Sequence, residues 1–515
     1  MVKKIIAGIV AMGLSLSLLV GCGGETENGA TAVNDEYAQF WASEEPLEMT
    51  IFQFNNQPFD DNYPVFQKAA EMTNVTLKGY LAKSISEVDQ AFNLMMSSGE
   101  IADIVCYSSK SAFFKYGAEG AFMPLNDLIA QHAPHIQQFL EDNPDVRKYI
   151  TALDGNIYYI PYIADGEVSQ CWYMRQDWLD KLGLDRPTTT DEFYQVLKAF
   201  REQDPNGNGQ QDEVPLFSNG AKDAFNTILP LWGASCWWYA DENGKIHYGP
   251  AEENYKNAHI DLRQWYAEGL IDQEIYTRGS NSMSTLLSAN VGGSVHAWVG
   301  STATYNDILA DEIPGFDWRP IAPPGEKGSE ARATVSESGW AISYSNQNPE
   351  AAMKYFDFWF TEEGRRLANF GIEGEQYDMI DGKPVFKDEV LHNEEAVVTQ
   401  LNEIGAQIRI GVQQDFEYER QWLSPIALEG IDEYVTNDYC WPSAPNFLRT
   451  EEEEREYTDL QGVITSYVQE CSQKWIMGQA DPAEEFDAYL ERLRDLQLDR
   501  LIELQQTAYD RYMAQ

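Results

Sequence analysis

Oxygen-bearing side chains occupy every second position of one short segment between residues 204 and 212. Counted from its first residue, positions 1, 3, 5, 7 and 9 are Asp204, Asn206, Asn208, Gln210 and Asp212. Position 6 is Gly209, which suits the sharp turn of a loop that wraps around a calcium ion. Position 12, where a bidentate glutamate is expected, is Pro215, so Glu213 would have to take that role.

The donor set predicts which ion such a loop binds. Three carboxylates, with amide and carbonyl oxygens, suit a hard cation, and neither histidine nor cysteine is nearby, which disfavours zinc. We therefore predict a Ca²⁺ site with a structural role, because the segment lies between secondary-structure elements and carries no nucleophile. The alternative is a hydrated Asp/Asn/Gly turn without a metal.

Cys22 is the second residue with a specific chemistry. It follows two lysines, Lys3 and Lys4, and an apolar run from Ile5 to Val20, which is the pattern of a secretory signal. The run is shorter than the roughly 20 residues that span a bilayer. The sequence Leu19-Val20-Gly21-Cys22 resembles the bacterial lipobox, which implies that residues 1–21 are removed and that Cys22 is acylated.

This resemblance implies a protein on the extracellular face of the membrane, held there by its lipid anchor only, since several acyl chains give a durable attachment. The alternative is an ordinary signal peptide with an incidental cysteine. Residues 22–46 are small, polar and acidic, and we predict a flexible linker there.

The charge of the chain limits its partners. A formal net charge of -47 over 515 residues excludes a nucleic-acid partner and repels polyanions, unless calcium or a local basic pocket compensates. The hydrophobic content of 43% supports substantial cores. No C-x-x-C motif occurs, so most of the remaining cysteines are predicted to be buried free thiols, with one disulfide pair as the alternative. They are Cys106, Cys171, Cys236, Cys440 and Cys471.

Strand-like and helix-like segments alternate from residue 47 onward, which predicts βαβ units and an α/β fold. Ligands of such sheets lie beyond the carboxyl ends of the strands, at 53–56 and 107–109 here. We predict two lobes joined by hinge segments near Asp165, Asn290 and Ser345. Residues 47–164 plus 291–345 would form the N-terminal lobe, with a strand at 293–299 returning to it. Residues 165–290 plus 346–515 would form the C-terminal lobe, with a helix near Asp223–Trp232. From Pro349 onward we predict helices apart from a hairpin at Asp381-Gly382-Lys383.

Several short motifs carry a family resemblance. Ser98–Ile104, with Ala102 in place of a more usual proline, resembles a segment of the family 1 extracellular solute-binding proteins, the receptors of carbohydrate ABC importers. Further motifs follow in consistent order: Tyr116–Leu125, Asp154–Pro161, Arg175–Leu184, Trp265–Asp272 and Asn348–Ala352. The resemblance implies a two-lobed, periplasmic-binding-protein-like fold with a hinge. It also implies a sugar ligand and an ABC permease as partner. The loop at 204–213 resembles the calcium loop of the family's alginate-binding members.

Aromatic side chains are the predicted ligand contacts, because flat rings stack on the apolar faces of pyranoses. Trp298 lies on the predicted strand near Gly292, Gly293 and Gly300, which would leave room for a ligand. The placement of Trp298 and Trp422 relative to the loop resembles that of the stacking tryptophans of the alginate-binding relatives. Further candidates are Tyr107, Trp237, Trp238, Trp340 and Trp441. Trp178 and Trp265 lie inside scaffold motifs and are assigned to the core.

These observations predict a monomeric, lipid-anchored receptor that captures an oligosaccharide between two lobes and delivers it to an ABC permease. Two alternatives remain open. One is a secreted polysaccharide-degrading enzyme, a glycosidase or lyase, although Gly-x-Ser-x-Gly, His-Glu-x-x-His and P-loop motifs do not occur. The other is a receptor for a non-sugar solute such as a peptide.

Overall fold

The computed structural model describes residues 35–220, 225–393, 395–441 and 447–514. Cys22, the predicted signal peptide and residues 22–34 of the predicted linker lie outside the described residues. The strands are β1 (Leu47–Phe52), β2 (Val75–Gly79), β3 (Ile104–Ser108), β4 (Ile160–Ile163), β5 (Gln170–Arg175), β6 (Val214–Leu216), β7 (Trp238–Ala240), β8 (Ile246–Tyr248), β9 (Gly292–Trp298), β10 (Trp318–Ile321), β11 (Ser329–Glu330), β12 (Val335–Ile342), β13 (Tyr377–Ile380), β14 (Lys383–Phe386) and β15 (Cys440–Trp441).

The helices in the described ranges are distributed over two lobes. They are α1 (Pro64–Thr73), α2 (Val88–Ser98), α3 (Lys110–Ala118), α4 (Asn126–His132), α5 (Pro134–Asp142), α6 (Pro144–Ile150), α7 (Gln176–Leu182), α8 (Thr190–Glu202), α9 (Glu253–Ala267), α10 (Ser282–Ser288), α11 (Val299–Ala303), α12 (Tyr305–Leu309), α13 (Pro349–Phe358), α14 (Glu362–Phe370), α15 (Asp388–Leu391), α16 (Val397–Glu403), α17 (Glu417–Trp422), α18 (Pro425–Thr436), α19 (Glu451–Ile476), α20 (Pro482–Asp495) and α21 (Leu498–Ala514). Short 3₁₀ turns cover Asp35–Phe40, Leu229–Trp232, Gly249–Ala251 and Gly279–Asn281.

The first lobe contains a five-stranded sheet in the order β2-β1-β3-β12-β4. β1 pairs in parallel with β2 and β3, as the strand–helix alternation predicts, whereas β12 is antiparallel to β3 and β4. Met49, Ile51 and Phe52 of β1 are buried, so this strand lies in the interior of the lobe. The carboxyl ends of β1 and β3 therefore meet at one edge of the sheet.

The second lobe contains a four-stranded sheet in the order β10-β5-β9-β6. β9 pairs antiparallel with β5 and parallel with β6, so the predicted return of this strand to the first lobe is wrong. Gly292 and Gly293 also do not leave room for a ligand. A Cβ atom at Gly292 would lie 2.9 Å from the ring of Phe217, and one at Gly293 would lie 2.7 Å from the Pro215 carbonyl. These glycines allow close packing inside the second lobe.

The assignment of residues 346–418 to the C-terminal lobe is also corrected by the structure. Buried side chains from α13, α14 and the segment up to Tyr418 share one hydrophobic core with β1, β3 and β12. The core clusters of the second lobe begin at Val168 and include Ile321 and Leu423. The chain therefore passes between the lobes three times, within residues 164–167, 331–334 and 419–422.

The C-terminal part is helical, as predicted, and belongs to the second lobe. α19 begins with a reciprocal capping box, in which the Thr450 side chain accepts from the backbone of Glu453 and the Glu453 side chain accepts from the backbone of Thr450. β13 and β14 form the predicted hairpin. The predicted helix near residues 223–232 is reduced to a turn and a 3₁₀ segment in its described part.

Candidate functional site

A cleft of about 1790 Å³ lies between the two lobes. Sites for drug-sized ligands enclose about 300–1,000 Å³, so this cleft has room for a considerably larger molecule. From the first lobe it is lined by residues 53–56 and 106–108, at the carboxyl ends of β1 and β3. This agrees with the edge at which the strand order predicts ligand-facing residues.

The exposure of the tryptophans separates two of them from the rest. All fourteen lie in the described part of the chain, and only Trp298 and Trp237 are exposed, at 57% and 54%. Both line the cleft. Leaving an indole in water forgoes the favourable free energy of burying it, so an exposed and well-placed tryptophan indicates a binding surface.

Trp298 is positioned by the second sheet. It is the last residue of β9, paired with Gln170, and the following amide of Val299 donates to the Ser169 carbonyl at 2.9 Å. Trp422 lines the cleft from the third crossing and packs beside Gly300, where a Cβ atom would lie 3.4 Å from its ring. Gly300 thus accommodates protein side chains rather than a ligand. The structure therefore places both Trp298 and Trp422 in the lining of the cleft.

Three other predicted tryptophans and one tyrosine also line the cleft: Trp237, Trp238, Trp441 and Tyr107. The Tyr107 hydroxyl donates to Asp89 at 2.7 Å, and its ring stacks on Phe92 with centroids 3.9 Å apart. Burial and the Asp89 carboxylate raise the pKa of Tyr107 to about 12. Tyr107 is therefore a neutral phenol held at the end of β3.

Trp340 is not a cleft residue, which corrects its prediction as a ligand contact. Its side chain is 0% exposed on the central strand β12, and its ring stacks on Phe356 with centroids 4.3 Å apart. The rings of Tyr355 and Trp359 complete this aromatic cluster. Trp178 and Trp265 are buried in the second lobe, as their scaffold motifs predict.

Basic side chains line the cleft although the chain as a whole is strongly acidic. Arg409 is exposed in the cleft and makes no ion pair with any described residue. Lys327 donates to the Asp438 carbonyl at 3.2 Å and likewise has no carboxylate partner in the described ranges. Neither Arg409 nor Lys327 is among the ligand contacts predicted from the sequence. The only signal was the position of Arg409 between two buried isoleucines, Ile408 and Ile410, which predicts an outward-facing side chain.

One arginine connects all three crossings. Arg332, on the second crossing, donates to the Asp165 carbonyl at 2.8 Å on the first crossing. Arg332 also forms a bidentate ion pair with Glu419 on the third crossing, in which its two terminal guanidinium nitrogens lie 3.0 and 3.1 Å from the two carboxylate oxygens. Since Arg332 and Glu419 both line the cleft, the hinge forms one wall of the ligand space.

The loop at residues 204–213 lies in the second lobe between α8 and β6, and its predicted donors do not line the cleft. The Asp204 carboxylate accepts from the amides of Asn208 and Gly209 at 3.0 Å. The Asn208 side-chain oxygen accepts from the amide of Gln210 at 2.7 Å, and both Asn206 and Asn208 donate to Asp212. These contacts turn the side chains of the loop toward one another.

Glu213 is a buried carboxylate at the end of this loop. It is 1% exposed, and neither carboxylate oxygen has a hydrogen-bond partner within the described structure. Burial raises its pKa, and the nearby Asp212 and Asp204 carboxylates add to that shift. A buried, unpartnered carboxylate beside two others fits a cation. No three His, Cys, Asp or Glu side chains in the described ranges form a metal-binding group, so a cation here also needs amide and carbonyl oxygens.

Two further findings concern the cysteines and the helices of the described residues. The cysteines at positions 106, 171, 236, 440 and 471 form no disulfide, as predicted, but only Cys106 and Cys171 are buried and the other three are half-buried. No described helix is both long and apolar enough to cross a bilayer.

Comparison with known proteins gives consistent matches. The family profile of the bacterial extracellular solute-binding proteins matches residues 55–366. A solved structure of the alginate-binding protein AlgQ2 without calcium ion is 40% identical, with a TM-score of 0.76, and the match covers 92% of this chain and 99% of that one.

Two curated relatives extend the comparison. The fructooligosaccharide ABC transporter substrate-binding protein FusA of Streptococcus pneumoniae is 25% identical over 98% of both chains. Its solved complex with kestose shares the fold, with a TM-score of 0.68. Lipoprotein LipO of Bacillus subtilis is 27% identical over 72% of this chain and 74% of its own.

Proposed function

Because the chain belongs to the family of bacterial extracellular solute-binding proteins, we propose that it captures an oligosaccharide between its two lobes and delivers it to an ABC permease. The family consists of binding proteins rather than enzymes, so the ligand leaves chemically unchanged. One observation carries the proposal: the two exposed tryptophans among fourteen both line the cleft. Ligand contacts to both lobes stabilise the closed form, since the open form cannot make them.

The lipid anchor is part of the proposal. The Leu19-Val20-Gly21-Cys22 motif and the name of the relative LipO, a lipoprotein, support acylation of Cys22. A tether of about 25 polar residues then leaves the folded lobes free to reach a permease in the same membrane. We propose that the protein acts as a monomer, with the lipid as its only membrane attachment.

Two basic residues of the cleft support an acidic oligosaccharide as ligand. Arg409 and Lys327 have no carboxylate partners in the described ranges and would offer an acidic sugar two cations to pair with, although Asp89, Glu330 and Glu419 also line the cleft. The relative AlgQ2 is an alginate-binding protein, and alginate is a polymer of uronic acids. Oligosaccharides of alginate are therefore the first ligands to test, with the neutral sugar kestose of the FusA complex as comparator.

A thermal-unfolding screen tests this function. Alginate oligosaccharides at about one hundred times their Kd should stabilise the protein by about 2.7 kcal/mol and raise its Tm, with a smaller shift for kestose. Mass spectrometry of the recovered sugar should show an unaltered ligand. Release of new reducing ends would contradict a receptor function, and the absence of a shift with any sugar would contradict an oligosaccharide ligand.

We also propose that the loop at residues 204–213 binds Ca²⁺ in a structural role. Asp204, Asn206, Asn208, Asp212 and Glu213 would supply side-chain oxygens and Gln210 a carbonyl oxygen. The bound ion would neutralise the carboxylates and stabilise the turn between α8 and β6. The unpartnered oxygens of buried Glu213 support this proposal.

A charge-removing variant of the loop tests the calcium proposal. Calcium at one hundred times its Kd should stabilise the wild type by about 2.7 kcal/mol relative to EDTA, and Glu213→Gln should lose most of that gain. In EDTA the variant should be at least as stable as the wild type at pH 7, because it removes a buried unpaired charge. Glu202→Gln, an exposed acid just before the loop, is the matched control. An equal calcium effect in both variants would contradict the assignment.

A further inference from the structure

The two lobes also touch at a place where no crossing joins them. α6 belongs to the first lobe, since its last residue, Ile150, lies in the core of that lobe. α21 belongs to the second lobe, where Leu501 lies in the core. The Nζ atom of Lys148 on α6 nevertheless lies 4.3 Å from the ring centroid of Tyr512 on α21. This contact joins the lobes without involving any of the three crossings.

One side of α6 lies against Tyr512. Lys148 and Tyr149 follow Asp145 by three and four residues, the spacing that places side chains on the same side of a helix. Burial raises the pKa of Tyr512, and the Asp145 carboxylate adds to that shift. Burial also raises the pKa of Tyr149, to which Glu337 and Tyr512 contribute. Tyr512 is therefore a neutral phenol beside α6, and its ring attracts the ammonium group of Lys148.

Leu448 makes a second contact between the lobes. Its side chain packs against the hydrophobic core of the first lobe, although its backbone is held on the second. The Leu448 carbonyl accepts from Arg511 of α21 at 3.1 Å, and Arg511 pairs with Glu453 of α19 at 2.6 and 3.0 Å. Its two neighbours, Phe447 and Arg449, both line the cleft. The contact between the lobes therefore borders the ligand space.

We propose that the contacts of Tyr512 with α6 and of Leu448 with the first lobe form a clasp that holds the lobes closed around a ligand. This inference rests on the proposed function and adds a device that acts without touching the ligand, because Lys148, Leu448 and Tyr512 are not among the described residues that line the cleft. Opening at the hinge separates α6 from α21, so the clasp stabilises the closed form alone. A larger closed population then gives tighter binding.

Two variants remove the clasp without changing the cleft. Lys148→Met keeps the aliphatic stem and removes the cation, and Tyr512→Leu keeps an apolar side chain and removes the ring. Each should weaken the Kd for alginate oligosaccharides by about two- to fivefold, the strength of an exposed cation–π pair, mainly through faster dissociation. The double variant should bind about as well as Tyr512→Leu, because both changes remove the same contact. Calorimetric titration and stopped-flow fluorescence measure these effects.

Small-angle X-ray scattering of the unliganded proteins tests the clasp independently of the sugar. Both variants should have a larger radius of gyration than the wild type, because the open form becomes more populated. The matched control is Lys115→Met, which removes a cation 5.1 Å from the ring centroid of Tyr116 within α3 of the first lobe. It should change neither the Kd nor the radius of gyration. Unliganded Tm values of all variants separate these effects from misfolding.

The two measurements separate failure of the clasp from failure of the function. If Lys148→Met and Tyr512→Leu match the wild type in both affinity and radius of gyration, the clasp is overturned while the receptor function stands. If the wild type binds neither alginate oligosaccharides nor kestose, the proposed function is overturned, and the scattering comparison still decides whether the clasp holds the lobes together.

Discussion

Trp298→Ala should remove most of the ligand-induced rise in Tm while leaving the unliganded protein nearly as stable as the wild type. The indole is 57% exposed at the end of β9, so its loss should change the free energy of unfolding by only about 0.5 kcal/mol. Loss of a central stacking ring should weaken sugar binding by about 2 kcal/mol, or roughly thirtyfold in Kd. Thermal unfolding with and without alginate oligosaccharides measures both effects.

Tyr344→Ala is the control for the Trp298 variant, since it removes an exposed aromatic ring elsewhere on the surface. It should leave both the unliganded Tm and the ligand-induced shift unchanged. A large fall in the unliganded Tm of Trp298→Ala would instead show that the indole supports the fold. A full ligand-induced shift in that variant would show that the ring does not contact the sugar.

Trp340→Ala should show the opposite pattern, with a large loss of stability in the unliganded protein and nearly unchanged sugar binding. Its side chain is completely buried and stacks on Phe356, so truncation removes a large apolar surface and leaves a cavity. Trp→Ala substitutions of this kind cost about 3–5 kcal/mol of unfolding free energy, a large part of the roughly 5–15 kcal/mol that stabilises a typical domain. Denaturant titration followed by circular dichroism measures the loss.

The affinity of Trp340→Ala for sugar, measured at a temperature where it remains folded, should stay close to that of the wild type. Trp340→Phe is the matched variant. The Trp340 indole nitrogen has no hydrogen-bond partner within the described residues, so a phenyl ring loses volume but no hydrogen bond. It should cost much less than alanine. A Trp340→Ala protein of normal stability that no longer bound sugar would overturn the assignment of this residue to the core.

The prediction from the sequence succeeds for features that depend on neighbours along the chain. The β1–β3 region alternates strands and helices at short range, so its parallel pairing follows from local periodicity. The β13–β14 hairpin follows from the turn residues Asp381 and Gly382. The loop at residues 204–213 is also defined by local spacing and lies between α8 and β6, and its binding of Ca²⁺ stays a prediction.

The prediction from the sequence fails where it has to decide which of the two lobes a strand or helix belongs to. β9 is buried on both faces, and such a strand carries no sign of which sheet it joins; the structure pairs it with β5 and β6. Helices α13 and α14 have an apolar face that would suit either lobe, and their side chains pack with the first. Both errors moved the predicted hinge crossings away from residues 331–334 and 419–422.

The amino-acid sequence was enough to establish the family, the two-lobed α/β class and a set of aromatic candidates, because motifs, periodicity and composition are local properties. It could not distinguish Trp298 and Trp237 from Trp340, since all are tryptophans in or next to strand-like segments. Their difference is solvent exposure, which depends on what the rest of the chain places against each ring. The basic residues of the cleft depend on folding in the same way. Arg409 and Lys327 are 82 positions apart in sequence, and only the approach of the lobes brings them to one cleft.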